Sequence, residues 1–204
     1  MTDAATDATR TESVLIALVR HGETDWNRER RIQGTTDIPL NDTGRLQAAE
    51  TAERLSSEQW DAVYGTPLSR AAETAQIIAR SLELPEPPLV AGLAERSHGV
   101  LEGLDHAGRT ALEAQAATIE GLEPRSTVIE RSTTALAEIA AAHPGGSVVV
   151  VSHGGVIHSL MLHLSDWNLP GAGYAVANGS VHLMRFEAGE LQLVEPEALT
   201  GTDA

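Results

Sequence analysis

The chain has no cysteine, no lysine and a single phenylalanine among its 204 residues. Without cysteine there is no disulfide framework, no thiolate nucleophile and no zinc–thiolate site. All 14 basic residues are arginines, set against 29 acids for a net charge of −15. Such a balance repels nucleic acid and anionic membrane surfaces over most of the exterior. An anionic small substrate is still accommodated where a few arginines share a low-dielectric cleft, because the local field outweighs the net charge there. No apolar run approaches a membrane-spanning length, and Met1 to Glu12 are polar and acidic, so the expected setting is cytoplasmic. The length suits one domain, expected over 14–198 between a disordered leader at 1–13 and a tail at 199–204.

What is present is an alternation. Strand-like apolar runs at 14–19, 61–64, 147–152 and 181–186 are separated by stretches of helical period, which predicts a doubly wound α/β sheet. Residues 181–186 and 191–194 around Glu187-Ala188-Gly189-Glu190 read as a hairpin, adding at least one antiparallel edge strand to a mostly parallel three-layer α/β/α fold. Behind Asn41-Asp42-Thr43-Gly44 a helix is expected with Leu46, Ala49, Ala52 and Leu55 on its buried face. Thr66-Pro67 reads as an N-cap and first helical position, placing Arg70 near a helix N-terminus with Ala71, Ala75, Ile78 and Leu82 on the buried face. Further helices are expected at 106–121, 127–142 and 153–164.

Two runs lead directly into histidine: Val14 to Val19 into Arg20-His21-Gly22-Glu23, and Val148 to Val151 into Ser152-His153-Gly154-Gly155. In an open α/β sheet ligands bind beyond the carboxyl ends of the strands, so the two imidazoles are expected over one substrate. Phosphoryl transfer needs an in-line nucleophile, cations on the equatorial oxygens and a proton for the leaving oxygen. His21 is the candidate nucleophile, since neutral imidazole attacks near pH 7 without a separate base. Arg20 offers a fork of N–H donors, the backbone N–H groups after Gly22 extend the cradle, and Gly22 permits close approach. His153, followed by glycines that can open a helix, is the second phosphate donor, and Arg70 the second arginine. Glu95, after the apolar Leu93-Ala94, is placed to protonate the leaving group; a carboxyl beside an anionic phosphate is biased toward its protonated form.

These residues lie in four ordered blocks. Leu18 to Asn27 with Gln33-Gly34 and Asp37 to Asn41, Tyr64 to Ala75, Leu93 to Arg96, and Val151 to Gly155 together resemble the histidine phosphatase superfamily in its phosphoglycerate-mutase-like branch, over residues 14 to about 187. The resemblance implies a phosphohistidine on His21, phosphate contacts from Arg20, Arg70 and His153, and proton donation by Glu95. It also implies that Asn27 and Gln33 line the pocket near phosphate, and that no metal or organic cofactor is required. Where many members read Glu-Arg-x-Phe-Gly-x-Trp-Glu-Gly, this chain reads Glu95-Arg96-Ser97-His98-Gly99-Val100-Leu101-Glu102-Gly103, so the leaving-group side differs at His98 and Leu101.

Each residue also has a plainer reading. His21 and His153 could be strand-end histidines satisfied by backbone, Arg70 a surface arginine paired with Glu73, and Glu95 a solvated acid with Glu23 or Glu102 as donor instead. His98, His106, His143, His158, His163 and His182 show no metal-ligand spacing and read as structural or exposed. Mutases resembling this chain carry an insertion with paired arginines between the acid and the second histidine; here Arg96, Arg109, Arg125 and Arg131 stand singly. The expected activity is therefore hydrolysis of a small phosphorylated metabolite, with a primed phosphoglycerate mutase as alternative and a non-catalytic phospho-ligand or protein-binding member behind it. Neither nucleic acid nor membrane is expected as a partner.

Overall fold

A computed structural model describes residues 13–171 and 173–194. The leader expected at 1–13 and the tail at 199–204 lie outside these residues, apart from Ser13. In chain order the elements are β1 (Val14–Arg20), α1 (Asp25–Arg28), α2 (Asp42–Leu55), β2 (Ala62–Tyr64), α3 (Ser69–Ser81), α4 (His106–Gln115), α5 (Arg125–Ala142), β3 (Ser147–Ser152), α6 (Gly154–Leu164), β4 (Val181–Glu187) and β5 (Glu190–Leu193). Short 3₁₀ turns at Ala91–Leu93 and Gly99–Leu101 interrupt the connection from α3 to α4.

One sheet holds the strands in the order β2-β3-β1-β4-β5. β2, β3 and β1 are parallel, while β4 and β5 run antiparallel at one edge. The central strands are apolar on both faces because both faces are covered, as parallel strands require. Ile16, Leu18, Val148 and Val150 point to a layer formed by α5 and α6, through Val128, Leu136, Ile157 and Leu160. Ala17, Val19, Val149 and Val151 point the other way, to α2 and α3 through Ala52, Leu55, Ala71, Ala75 and Ile78. The three-layer fold expected from the alternation is the one observed.

Three helix expectations need correction. α2 buries Gly44, Ala48, Thr51, Ala52 and Leu55, leaving Ala49 exposed and Leu46 66% exposed. The face is rotated because small residues are needed where α2 crosses the chain after β1: a Cβ on Gly22 would lie 2.2 Å from the Gly44 carbonyl oxygen. α3 begins at Ser69, two residues later than the Thr66-Pro67 reading, with no cap from its own preceding side chain. The cap comes from elsewhere, Asp37 accepting from the Ser69 N–H at 2.8 Å and hydroxyl at 2.7 Å. α4 stops at Gln115 instead of 121; none of its residues is buried, so no packing extends it. No helix among the described residues is long and apolar enough to cross a membrane.

Candidate active site

The parallel register fixes the centre of the site. Arg20 of β1 stands opposite Ser152 of β3, and the His21 N–H extends the ladder to the Ser152 carbonyl at 3.0 Å. The next residue on each strand is a histidine, and the two rings sit with centroids 5.2 Å apart, tilted by 57°. Both are buried. The His21 Nδ1 lies 2.7 Å from the Gly22 carbonyl oxygen. A carbonyl only accepts, so Nδ1 carries the proton and Nε2 keeps its lone pair. Burial, reinforced by the charges of Arg20 and Arg70, holds the His21 imidazole well below its ordinary range and therefore neutral.

His153 is held differently. Its Nε2 is 2.8 Å from the Thr66 hydroxyl, and its Nδ1 is buried without a protein partner. Burial first, then His21, Arg70 and Arg20, lower its protonation as well. Thr66, read from the sequence as a helix cap, is instead the residue that orients this ring.

The arginines come from opposite sides of the crevice. Arg20 reaches from the end of β1 to the Val176 carbonyl. Arg70, from the first turn of α3, is fully buried and donates to the carbonyls of Thr36 at 2.9 Å and Gly34 at 2.7 Å. Its pairing with Glu73 is excluded, since Glu73 binds Arg45 at 2.6 Å. Among the described residues neither Arg20 nor Arg70 forms an ion pair, and the Nε of each is buried without a partner. Burial lowers the proton affinity of both guanidiniums, with Glu95 opposing the effect. One fully buried and one half-buried cation, each with an unpaired buried donor, describe a site built for an anion.

These groups face a cavity of about 350 Å³ lined by Arg20, His21, Asn27, Gln33, Arg70 and Glu95, with His153 beneath the lining against His21. Glu95 is fixed by two backbone donors, the Arg96 N–H on Oε1 at 2.7 Å and the Gly155 N–H on Oε2 at 3.1 Å. A side chain at 155 would displace it, because a Cβ there falls 2.4 Å from Oε1. Asn27 and Gln33 are tied together through the Thr24 hydroxyl, at 3.1 and 2.9 Å.

The backbone N–H groups after Gly22 do not extend the cradle, contrary to the sequence reading, and neither does that of Gly22 itself. Gly22 N–H donates to the Thr74 hydroxyl, Glu23 N–H to Gln47 and Thr24 N–H to Asn27. Glycine at 22 serves the crossing with α2. The alternative donors are also accounted for. Glu23 accepts from Asn41 at 2.9 Å and does not line the cavity. Glu102 accepts from the Thr36 hydroxyl at 2.6 Å and from the Thr35, Thr36 and His98 N–H groups at 3.0 Å. Burial works to raise its carboxyl, but those bonds outweigh it and hold it below the usual range. Glu102 is thus an ionised clamp on the loop whose carbonyls carry Arg70.

Of the two altered positions, His98 lines the cavity, whereas Leu101 is 1% exposed and packs inside. Further lining was not anticipated: Arg31, Arg96, Arg125, His158 and Tyr174. One signal was available, because His158 follows the cavity-lining Gly155 by three residues and so shares its face of α6. Arg96 and Arg125, read as standing singly, line the same cavity, and burial followed by the charge of Arg96 lowers the proton affinity of Arg125.

A model of the histidine phosphatase superfamily (branch 1) matches residues 16–198. The chain is 43% identical over 172 residues to phosphoglycerate mutase-like protein 4 of Arabidopsis thaliana, covering 78% of this chain and 75% of that protein. It is 39% identical over 150 residues to the Bacillus subtilis (strain 168) protein named uncharacterized phosphatase PhoE, covering 74% of this chain and 77% of that one. Among solved structures, Bacillus stearothermophilus YhfR superposes with a TM-score of 0.80 at 28% identity, over 94% of this chain and 98% of its own.

Proposed function

The chain belongs to the histidine phosphatase superfamily (branch 1) and is a phosphomonoesterase of it; we propose that it acts on small phosphorylated metabolites in the cytoplasm, through a phosphohistidine on His21 and without a metal. The His21 Nε2 lone pair attacks phosphorus as the bond to the leaving oxygen breaks. Arg20, Arg70 and the Nδ1–H of His153 hold the equatorial oxygens, where charge is greatest in the transition state. The Thr66 hydroxyl donates to His153 Nε2 and so keeps the Nδ1–H form. Asn27 and Gln33 complete the phosphate end. Glu95 gives its proton to the departing alcohol, then takes one from the water that attacks the phosphohistidine, so phosphate leaves and both groups return to their starting forms.

One observation carries this reading: the β1–β3 register leads into two histidines whose rings lie 5.2 Å apart, beside a buried Arg70 and a half-buried Arg20 that have no carboxylate partner among the described residues. Nucleic acid and membrane are not proposed as partners of a chain with net charge −15. A primed mutase is the competing reaction, and the lining of one cavity by Arg96 and Arg125 removes the argument that such a chain lacks grouped arginines. Hydrolysis is favoured instead by the exposure of Arg31 and Ala175 at the outer wall, since a mutase must keep water from its phosphohistidine. Purified protein is expected to release phosphate from p-nitrophenyl phosphate, and His21→Ala to abolish that release. Interconversion of 2- and 3-phosphoglycerate with a bisphosphoglycerate primer, faster than phosphate release, would overturn the hydrolytic reading.

A further inference from the structure

Arg70 is fully buried, and a guanidinium out of contact with water is costly to hold without a counter-charge. Among the described residues it forms no ion pair. Burial lowers its proton affinity, and the charges of Glu95, Asp37 and Glu102 oppose that effect, in this order. Glu95 trades its proton during turnover, so the standing counter-charges are Asp37 and Glu102. Asp37 is spent on the Ser69 N–H and hydroxyl. Glu102 is bonded to the loop that Arg70 itself grips.

The link is a single peptide unit. Arg70 Nη2 donates to the Gly34 carbonyl at 2.7 Å, and the other end of that same peptide, the Thr35 N–H, donates to Glu102 Oε1 at 3.0 Å. The carboxylate draws on the N–H, the carbonyl oxygen gains negative charge, and its bond to the guanidinium strengthens. On the next residue the Thr36 N–H and hydroxyl reach Oε2 at 3.0 and 2.6 Å, while the Thr36 carbonyl accepts from Arg70 Nη1 at 2.9 Å. Glycine at 34 is a condition of this contact: its φ is +54°, and a Cβ there would lie 2.0 Å from Oε1. The His98 N–H also reaches Oε1 at 3.0 Å, so one carboxylate ties the segment that follows Glu95 to the loop that holds Arg70.

The indirect connection has a chemical advantage. A carboxylate bound straight to the guanidinium would occupy the fork that phosphate needs. From behind the peptide, Glu102 offsets charge and fixes the Nη1 and Nη2 edge, leaving Arg70 Nε, buried without a partner, to face the phosphoryl oxygens. Glu102 itself does not line the cavity.

We infer that Glu102 is a positioning residue for the reaction, setting the placement and charge balance of Arg70 through the Gly34–Thr35 peptide. This rests on the phosphatase reading, in which Arg70 holds the phosphoryl group, and adds to it a residue that touches no substrate.

Glu102→Gln keeps the shape of the side chain and removes its charge. Binding of inorganic phosphate, titrated by calorimetry, is expected to weaken about tenfold, and kcat/KM to fall by a similar factor on p-nitrophenyl phosphate and on propyl phosphate alike. In an Arg70→Gln background the same substitution should lower kcat/KM less than about twofold, because its effect passes through Arg70. Should Glu102→Gln not fold, Thr36→Val, which removes only the hydroxyl donor, takes its place: a few-fold loss of phosphate affinity supports the inference and no loss overturns it. A lower urea midpoint with unchanged phosphate affinity, a loss of kcat/KM that grows with leaving-group pKa, or equal losses with and without Arg70 overturns the role of Glu102 and leaves the phosphatase reading intact. Phosphate binding by the parent with no release from either ester overturns the phosphatase reading, and the calorimetric comparison still decides Glu102.

Discussion

The two ends of the cavity are built by opposite means. At the phosphate end, His21 and His153 leave adjacent parallel strands at matched positions, and their bonds fix each ring. At the outer end, Arg96, Arg125 and His158 come from three separate segments and are half-buried, and Arg31 is exposed. The first arrangement is rigid because the sheet supplies it, and it suits a phosphoryl group that every substrate shares. The second depends on how helices and loops close over the sheet, and it suits the part of a substrate that varies. On the proposed function, chemistry and specificity are carried by different classes of structure, with Glu95 in the same cavity lining.

The sharpest way to break this comparison is at Arg70. Arg70→Gln should lower kcat/KM by about 10²- to 10³-fold on every phosphomonoester alike, since the lost contact is to phosphoryl oxygens; steady-state kinetics across leaving groups will show it, and a loss confined to one leaving group would move Arg70 to the outer end. Glu95→Gln should cost about 10²-fold on alkyl phosphates and only a few-fold on p-nitrophenyl phosphate, because a nitrophenolate leaves without a proton. A flat dependence on leaving-group pKa would remove Glu95 from its role.

Acid sensitivity separates buried from open histidines. His21 and His153 are held neutral by burial, and His182, bonded through Nε2 to Ser180 and 7% exposed, is lowered to about 4. Each binds a proton more readily unfolded than folded, so its contribution to stability is complete above about pH 6.5 and is lost as pH falls toward the folded value. For His182 the loss by pH 5 is about 2 kcal/mol, from its share of a window between 6.5 and about 4. Urea unfolding at pH 7.5 and 5.0 should show at least that loss in the parent and less of it in His182→Gln. Equal losses in the two proteins would mean that this ring is already protonated in the fold.

Legibility in the sequence followed the same division. The apolar runs of β1 and β3 are continuous because both faces are covered, so strand, layer and strand-end histidine could all be read together. Arg20 and Arg70 were legible through the blocks that contain them. What escaped was set by contacts between distant segments. Leu46 turns outward because α2 must present glycine to Gly22, and α3 starts at Ser69 because Asp37 caps it from another loop. Thr66 was assigned to a cap and found on His153, and the N–H groups after His21 were found spent on Thr74, Gln47 and Asn27. Arg96 and Arg125 are 29 positions apart, and only the packing of α5 against its neighbours brings them to one cavity.

The central claim is that His21 Nε2 takes the phosphoryl group. Rapid acid-free quenching of the enzyme during turnover of a phosphomonoester, followed by peptide mass spectrometry, should find phosphate on His21, stable in alkali and lost in acid. Turnover with no phosphate on His21, or with phosphate on another residue and undiminished rate in His21→Ala, would contradict it.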